Sequence, residues 1–519
     1  KDDGKKLNIR NFLGRNNFKC LYNRNCVADD RFLPCSIEIN NDNWDLIRTF
    51  IKDNPAVNAE DFKDIEDVRR VHVGAACPYW SPVIGKGWFG GDKLEDSKKH
   101  FYKGLENVDY FYHERKKGCN YYEQFKGYIE ADVLIFNSKK YEIENLLNRK
   151  PETEVEIIDE CDEFLDKLGN EKRINLNLMM KKLGETAGVT GDAEIKEALI
   201  EIHNLAEEIS KSKWMDEIVE TGEVVKIEDT KVSRLFNVIL NNEFILEHEE
   251  LETYYSTAKS FKGMMEDSYV SFYRNAKGSV ILRVVNVNLE RRLKEFIDKN
   301  KVFVMMSGTL HSEKVLRDVF GINEYKVIEA ETQHGGIVKK LFTGLEKNYR
   351  YREFKEGRVT RRDFLESLNS CVENAEKPFL VHVQSYEDLP SNLEKEETGV
   401  SIMSRERLIE LQDKYKKGEL LQWFKEGKMN VLYSTRCNRG IDLPGDVCKS
   451  IIFTRYPFPA MQDIFWKVLQ KKNSAIFREF YFDKSRREFM QRIYRGLRSN
   501  DDAVNLMSPD IMVMNKGNV

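Results

Sequence analysis

Short apolar runs of strand length recur along this chain, most of them followed by polar residues and then by a helical pattern. "ADVLIFNS", "VEIIDE", "KVFVMMSGTL", "KPFLVHVQS", "MNVLYST" and "KSIIFTRY" are the clearest. A run that is apolar throughout is a strand covered on both faces, and such strands alternating with helices build parallel sheets clothed by those helices. "YEIENLLNR" and "GELLQWFKEG" supply helical segments, and "SVILRVVNV" and "GVSIMS" read as further strands. The rhythm breaks twice. Residues 36–118 are polar, loop-rich and aromatic, and residues 168–262 carry charged helical patterns such as "AEIKEALIEIHNLAEEIS". The expected fold class is α/β, with two parallel-sheet lobes and two insertions in the first.

At 519 residues the chain exceeds one ordinary core. No apolar run approaches membrane-spanning length, and the opening "KDDGKKLNIRNF" lacks the apolar centre of a signal peptide. A cytosolic protein without a membrane partner is expected. The net charge of −4 excludes a uniformly basic surface, so nucleic acid would have to follow local Lys/Arg tracks. Nine cysteines are too few for a disulfide scaffold. Cys20, Cys26, Cys35, Cys77 and Cys119 crowd the first quarter, which in a reducing compartment favours a metal site. The thiolates suit zinc or an iron–sulfur cluster, with plain buried thiols as the alternative.

Residues 155–166, "VEIIDECDEFLD", deliver Asp159, Glu160 and Asp162 just past a strand, where α/β sheets place their chemistry. "MSGTL" ends another strand with Ser307, Gly308 and Thr309 in a tight turn. "NRGIDLPGD" brings Arg439, Gly440 and Asp442 after "NVLYST", and "QRIYRGLR" sets Gln491, Arg495 and Arg498 at helical spacing on one face. Phosphoryl transfer connects these parts. A carboxylate holds Mg²⁺, a second group orients water, and arginines meet the charge developing on the phosphate.

In this order the motifs resemble those of the XPD- and DinG-type iron–sulfur helicases of superfamily 2. The resemblance runs through "GRNNFKC", "CPYW", "GCNYYEQFKGYIEADVLIFNSKKYEI", "DECD", "VVNVNLERRLKEFIDKNKVFVMMSGTL", "LVHVQSYEDL", "RGIDLPGDVCKSIIFTRYPFP" and "QRIYRGLRS". It implies two RecA-like motor lobes. The first would comprise residues 1–19, 120–167 and 276–312, with an iron–sulfur insertion at 20–119 and a helical arch at 168–275. The second would span 313–519. The implied activity is ATP-dependent 5′–3′ translocation on single-stranded DNA and unwinding of forked or duplex DNA, in repair or DNA processing of a prokaryotic cell.

By motif, the resemblance has Asp159 hold Mg²⁺ and Glu160 activate water. Gln491, Arg495 and Arg498 would read the ATP phosphates, and Asp162, Arg439, Gly440 and Asp442 would complete the nucleotide site. Ser307 and Thr309 would couple nucleotide state to DNA, and Ser385 and Tyr386 would grip the strand. Cys20, Cys35, Cys77 and Cys119 would hold a 4Fe–4S cluster, with Cys26 the alternative to Cys35. Tyr79, Trp80 and Trp88 are candidate base-stacking platforms.

One part of the pattern breaks. No G-x-x-x-x-G-K-[ST] phosphate loop occurs in these residues, and in the family it lies upstream of "GRNNFKC". The expectation is a working helicase whose loop resides on a missing N-terminal segment or a separate subunit. An ATP-independent nucleic-acid-binding scaffold and a metal-dependent nuclease are the competing readings. A smaller departure is Tyr494, where the family commonly carries glycine.

Overall fold

The computed structural model describes residues 4, 6–86, 94, 96–169, 171–247, 249–328, 336–415, 418–435, 442–497 and 499–516. The chain divides into two compact units, one comprising Lys1–Met306 with Gln462–Lys472, the other Ser307–Met461 with Asn473–Val519. Each contains parallel strands flanked by helices, as the alternation predicts. None of the described helices is long and apolar enough to cross a membrane.

The second unit is built on five parallel strands in the order Ile337–Lys340, Ala503–Met507, Ser450–Phe453, Phe379–His382, Val431–Ser434. Every residue of the two strands Phe379–His382 and Ser450–Phe453 is buried, which is why both read as unbroken apolar runs. Successive side chains leave on opposite faces. Phe379 and Val381 join Phe364, Leu368 and Cys371 of the helix Arg361–Asn374. Leu380 joins Phe489 and Ile493 of the helix Ser474–Ile493. From Phe379–His382 the chain passes to Val431–Ser434 on one side, then returns to Ser450–Phe453 on the other. That reversal opens a crevice at the carboxyl ends of the two central strands, the usual ligand position in such sheets.

The first unit has two separate parallel pairs, Ile9–Phe12 with Val133–Phe136 and Val155–Ile158 with Val302–Met305. A three-stranded antiparallel sheet, Val83–Gly85, Asp109–Glu114 and Lys98–Lys103, lies within the cysteine-bearing region. The helices Leu176–Gly188, Ala193–Ser210, Lys213–Thr221, Lys231–Leu240 and Glu249–Lys259 share one apolar core with a four-stranded antiparallel sheet.

The strand "SVILRVVNV" departs from its reading as a return to the parallel rhythm. Val280–Asn286 pairs antiparallel with Ser268–Arg274 and with Lys172–Asn175. Six of its seven residues are buried, and burial on both faces does not reveal strand direction. "GVSIMS" is a loop, entered through Gly399 at φ 71° and anchored by buried Val400 and Ile402. The strands Ile337–Lys340 and Ala503–Met507 escaped sequence reading because the first has no buried residue and ends in two lysines, and the second is interrupted by Asn505.

Glu144, on the helix Ser138–Leu146, is fully buried between Arg149 at 2.7 Å and Lys140 at 2.9 Å. Burial pushes its carboxyl up, but Arg149 and Lys140 outweigh it and hold the group at about 2. A carboxylate held below its ordinary value of about 4.3 contributes full stability above that value. The contribution drains away as pH falls through the folded value. Glu144→Gln is therefore expected to lower the denaturation midpoint at neutral pH and to flatten its acid-side decline. Midpoints measured from neutral pH down to about 2 check this.

Candidate functional site

In the first unit, Val155–Ile158 ends at Asp159 and Glu160, both exposed. Glu160 adopts a left-handed backbone, φ 51° and ψ 47°, and opens the helix Cys161–Leu168. Such a conformation costs a non-glycine residue about 1–3 kcal/mol and persists only where the surroundings impose it. Here the Cys161 N–H donates to the Met306 carbonyl at 2.9 Å and the Met306 N–H to the Ile158 carbonyl at 2.9 Å. The turn is thereby pinned between two strand ends, and the Glu160 N–H donates to Asp159 Oδ1 at 2.9 Å. Asp162 is fully buried in the first helical turn, where the helix dipole favours its charge. The two outward carboxylates are thus Asp159 and Glu160.

A cleft of about 990 Å³ adjoins them, lined by all of Val133–Phe136 and Val155–Ile158 together with Asp159 and Glu160. Each of those strands has one partner among the described residues, so each leaves one edge unpaired. Ile135 and Ile157 are 49% and 59% exposed, unusual for apolar residues of a parallel sheet. Chemically, the cleft offers unsatisfied strand backbone along its walls and two carboxylates at the carboxyl end. A further polypeptide strand and a divalent cation are what such groups bind.

In the second unit, Gln491 donates from Nε2 to Thr309 Oγ1 at 2.6 Å, and the Thr309 N–H donates to Ser307 Oγ at 3.1 Å. The "SGT" turn and the "QRIYR" segment, read separately in sequence, are therefore in direct contact. Asp483 reinforces the junction. It accepts from the Ser312 N–H at 3.0 Å and from Arg487 Nε at 2.7 Å. Gln491 and Arg495 do not lie on one helical face as their spacing predicts. The α-helix stops at Ile493, Tyr494–Gly496 form a 3₁₀ turn, and Leu497 is extended. Tightening into 3₁₀ geometry is a common way to end a helix, and it rotates Arg495 off the i, i+4 row. Arg495 is buried, and its carbonyl accepts from the Leu443 N–H at 2.9 Å, which places the exposed Asp442 next to this turn. Arg439, Gly440 and Arg498 lie outside the described residues, as does Trp88.

The crevice between the central strands holds residues that sequence reading passed over. Arg492 donates to Gln384 Oε1 at 3.0 Å, and the Gln384 N–H donates to Thr454 Oγ1 at 3.0 Å. His382 is buried, and neither ring nitrogen has a hydrogen-bond partner among the described residues. Burial, then the charges of Arg492 and Arg495, hold its pKa well below the ordinary value, so the ring is neutral. A polar residue inside the apolar run "FLVHV" was the available signal. Ser385 caps the short turn Tyr386–Asp388, and the Tyr386 hydroxyl donates to Gln412 at 2.7 Å. Asp388, missed in sequence, accepts from Thr454 Oγ1 at 2.8 Å and Arg455 Nε at 2.7 Å and ties the turn to the sheet.

The cysteine-bearing region brings Cys20, Cys35 and Cys77 into one cluster, with Cys26 and Cys119 packed against it. Burial pushes the Cys77 thiol up to about 12, with Cys35, Cys119 and Cys20 adding to the rise. Cys119 is raised by burial and again by Cys35 and Cys20. Cys26 is raised by burial and then by Cys20, Asp30 and Cys35, and its own S–H donates to the Asn23 carbonyl at 3.3 Å. Cys35 Sγ instead accepts from the Arg15 guanidinium at 3.3 Å, and Cys20 Sγ from the Asn23 N–H at 3.3 Å. Neighbouring thiols with N–H donors turned toward Cys20 and Cys35 suit an anionic sulfur-ligated group. Among the described residues no three His, Cys, Asp or Glu side chains stand close enough to hold a single metal ion. Trp80 is not a stacking platform. It is 6% exposed, and its ring covers Gly74 so closely that a Cβ there would stand 2.8 Å away. Tyr79 is half-buried beneath the Lys116 ammonium at 5.2 Å.

Residues 368–517 match the helicase C-terminal domain family. The matched segment takes in four of the five parallel strands, the Gln384–Arg492 crevice and the Gln491 end of the long helix. The chain is also similar to solved structures of XPD proteins. One XPD helicase is 14% identical over 77% of this chain and 74% of that chain, with TM-score 0.46. An apo XPD is 14% identical over 74% and 80%, with TM-score 0.45. Xpd4 of S. tokodaii is 16% identical over 74% and 80%, with TM-score 0.46. No curated protein matches.

Proposed function

We propose that this chain is the motor of an ATP-dependent DNA helicase that translocates 5′ to 3′ on single-stranded DNA and unwinds forked or duplex DNA during repair or processing. The match of residues 368–517 to the helicase C-terminal domain family carries the reading. The contact between Gln491 and Thr309 supports it, because it links the nucleotide-reading segment to the segment assigned to DNA coupling.

In this reading Asp159 binds Mg²⁺ and Glu160, held outward by its left-handed turn, accepts the proton of the attacking water. Gln491, Arg495 and Arg498 meet the phosphate charge, with Asp162, Arg439, Gly440 and Asp442 completing the nucleotide surroundings. Ser307, Thr309, Ser385, Tyr386 and Tyr79 are assigned to DNA. The phosphate loop arrives on a strand that fills the cleft between Val133–Phe136 and Val155–Ile158, whose free edges and exposed Ile135 and Ile157 await such a strand. A loop following that strand would reach Asp159 and Glu160, since parallel strands share their carboxyl ends.

Cys20, Cys35, Cys77 and Cys119 hold a 4Fe–4S cluster, which supplies a rigid crosslink rather than a reaction step. Protein purified without oxygen is expected to show the broad visible absorption of a cluster. Cys35→Ser should lose it and Cys26→Ser should keep it. Loss with Cys26→Ser alone would reverse the ligand assignment.

The function is tested by ATP hydrolysis and strand displacement on a 5′-tailed fork, with and without single-stranded DNA and Mg²⁺. DNA-stimulated turnover supports the motor. DNA binding without turnover points to a loop supplied separately, and adding the segment that bears it should restore hydrolysis. Metal-dependent shortening of the DNA without ATP would replace the motor reading with a nuclease.

A further inference from the structure

We propose that the cavity between the helices Ser138–Leu146, Cys161–Leu168 and Leu289–Ile297 binds a small organic monocarboxylate through Arg292. The cavity encloses about 220 Å³ within the first unit. A dry apolar cavity of roughly 150 Å³ admits benzene, whereas whole cofactors and nucleotides occupy sites of about 300–1,000 Å³. The space therefore fits a ligand built on a single ring or a short branched chain.

Arg292 lines this cavity and is 6% exposed. Its Nη1 has no hydrogen-bond partner, and its guanidinium forms no ion pair among the described residues. The group rests over the Phe261 ring at 5.3 Å, a contact that satisfies none of its N–H donors. Arginine stays charged even when buried, and an uncompensated buried cation costs several kcal/mol. The structure thus maintains a desolvated cation facing a void.

Glu142 and Glu295 act on the Arg292 charge, but neither forms an ion pair with it among the described residues. Glu142 is engaged by Lys172 at 2.5 Å, and Lys299 donates to Asn148 at 2.9 Å. Glu295 lines the cavity without pairing to Arg292, and burial pushes its carboxyl up. The forked N–H donors of the Arg292 guanidinium match the two oxygens of one carboxylate. Phe164, Phe296, Leu146 and Leu168 supply the apolar wall for the ligand's body. A dianionic phosphate would meet Glu142 and Glu295 at close range and is disfavoured.

The test is thermal unfolding of the full 519-residue chain with sodium benzoate, benzamide or inorganic phosphate at matched ionic strength. Benzoate is expected to raise the melting temperature in a saturable way, and the isosteric neutral benzamide and phosphate are not. Arg292→Met should weaken benzoate binding about tenfold or more, because a charge-assisted hydrogen bond is lost. Arg292→Lys should retain part of the response and shows that the site tolerates substitution. Equal stabilisation by benzamide and benzoate, an unchanged response in Arg292→Met, stabilisation by phosphate through Arg292, or no shift with any probe would each overturn the proposal.

Discussion

Glu160→Gln is expected to lower DNA-stimulated ATP hydrolysis by roughly 10²–10⁴-fold while leaving DNA affinity unchanged. Glutamine keeps the shape of the side chain and the left-handed turn that presents it, and the neighbouring Asp159 remains available for Mg²⁺. What it removes is the ability to accept a proton from water. The loss should therefore appear in the maximal rate, with little change in the ATP concentration that half-saturates it. Steady-state rates across ATP and DNA concentrations, beside a DNA-binding titration, separate the effects. Equal turnover in both proteins would take Glu160 out of the chemistry. A matching loss of DNA binding would assign it a structural role instead.

The second large effect concerns Asp483. Asp483 and Arg487 form an ion pair at 2.7 Å with side chains only 4% and 2% exposed. The same carboxylate accepts the Ser312 N–H, tying the segment after "SGT" to the helix Ser474–Ile493. Asp483→Ala removes the carboxylate and leaves the Arg487 charge buried without it. Breaking a buried pair in this way costs about 3–5 kcal/mol, far above a surface pair. Chemical denaturation should show that drop in the transition of the second unit. The double change Asp483→Leu with Arg487→Met should recover much of it, because a buried pair exchanged for apolar side chains of similar volume is often neutral. A single-substitution cost below about 1 kcal/mol would place the pair in the weakly contributing class.

Several features were legible in the sequence because they depend on local chemistry. Unbroken apolar runs located Phe379–His382, Val431–Ser434 and Ser450–Phe453, since strands buried on both faces need apolar residues at every position. The position of Asp159 and Glu160 beyond Val155–Ile158 followed from the same signal. The early cysteines that crowd the sequence, Cys20, Cys26, Cys35, Cys77 and Cys119, lie in or against one core. Half-exposed strands such as Ile337–Lys340 carried no comparable signature.

Other features were decided only when distant segments came together. The direction of Val280–Asn286 depends on its partners, Ser268–Arg274 and Lys172–Asn175, and no pattern within one strand encodes a partner. Spacing set Gln491 and Arg495 on one face only if the helix continued, and it ends at Ile493 in a 3₁₀ turn. Burial divided Asp162 from Asp159 and Glu160, and Trp80 from Tyr79, although each pair looks alike in sequence. The unpaired edges beside the cleft and the lone cation of Arg292 are likewise relations among several elements. By itself the sequence determined which residues could bear charge, bind metal or enter a sheet. The tertiary structure decided which of them face solvent, a cavity or one another, because desolvation and pairing belong to surroundings rather than to single residues.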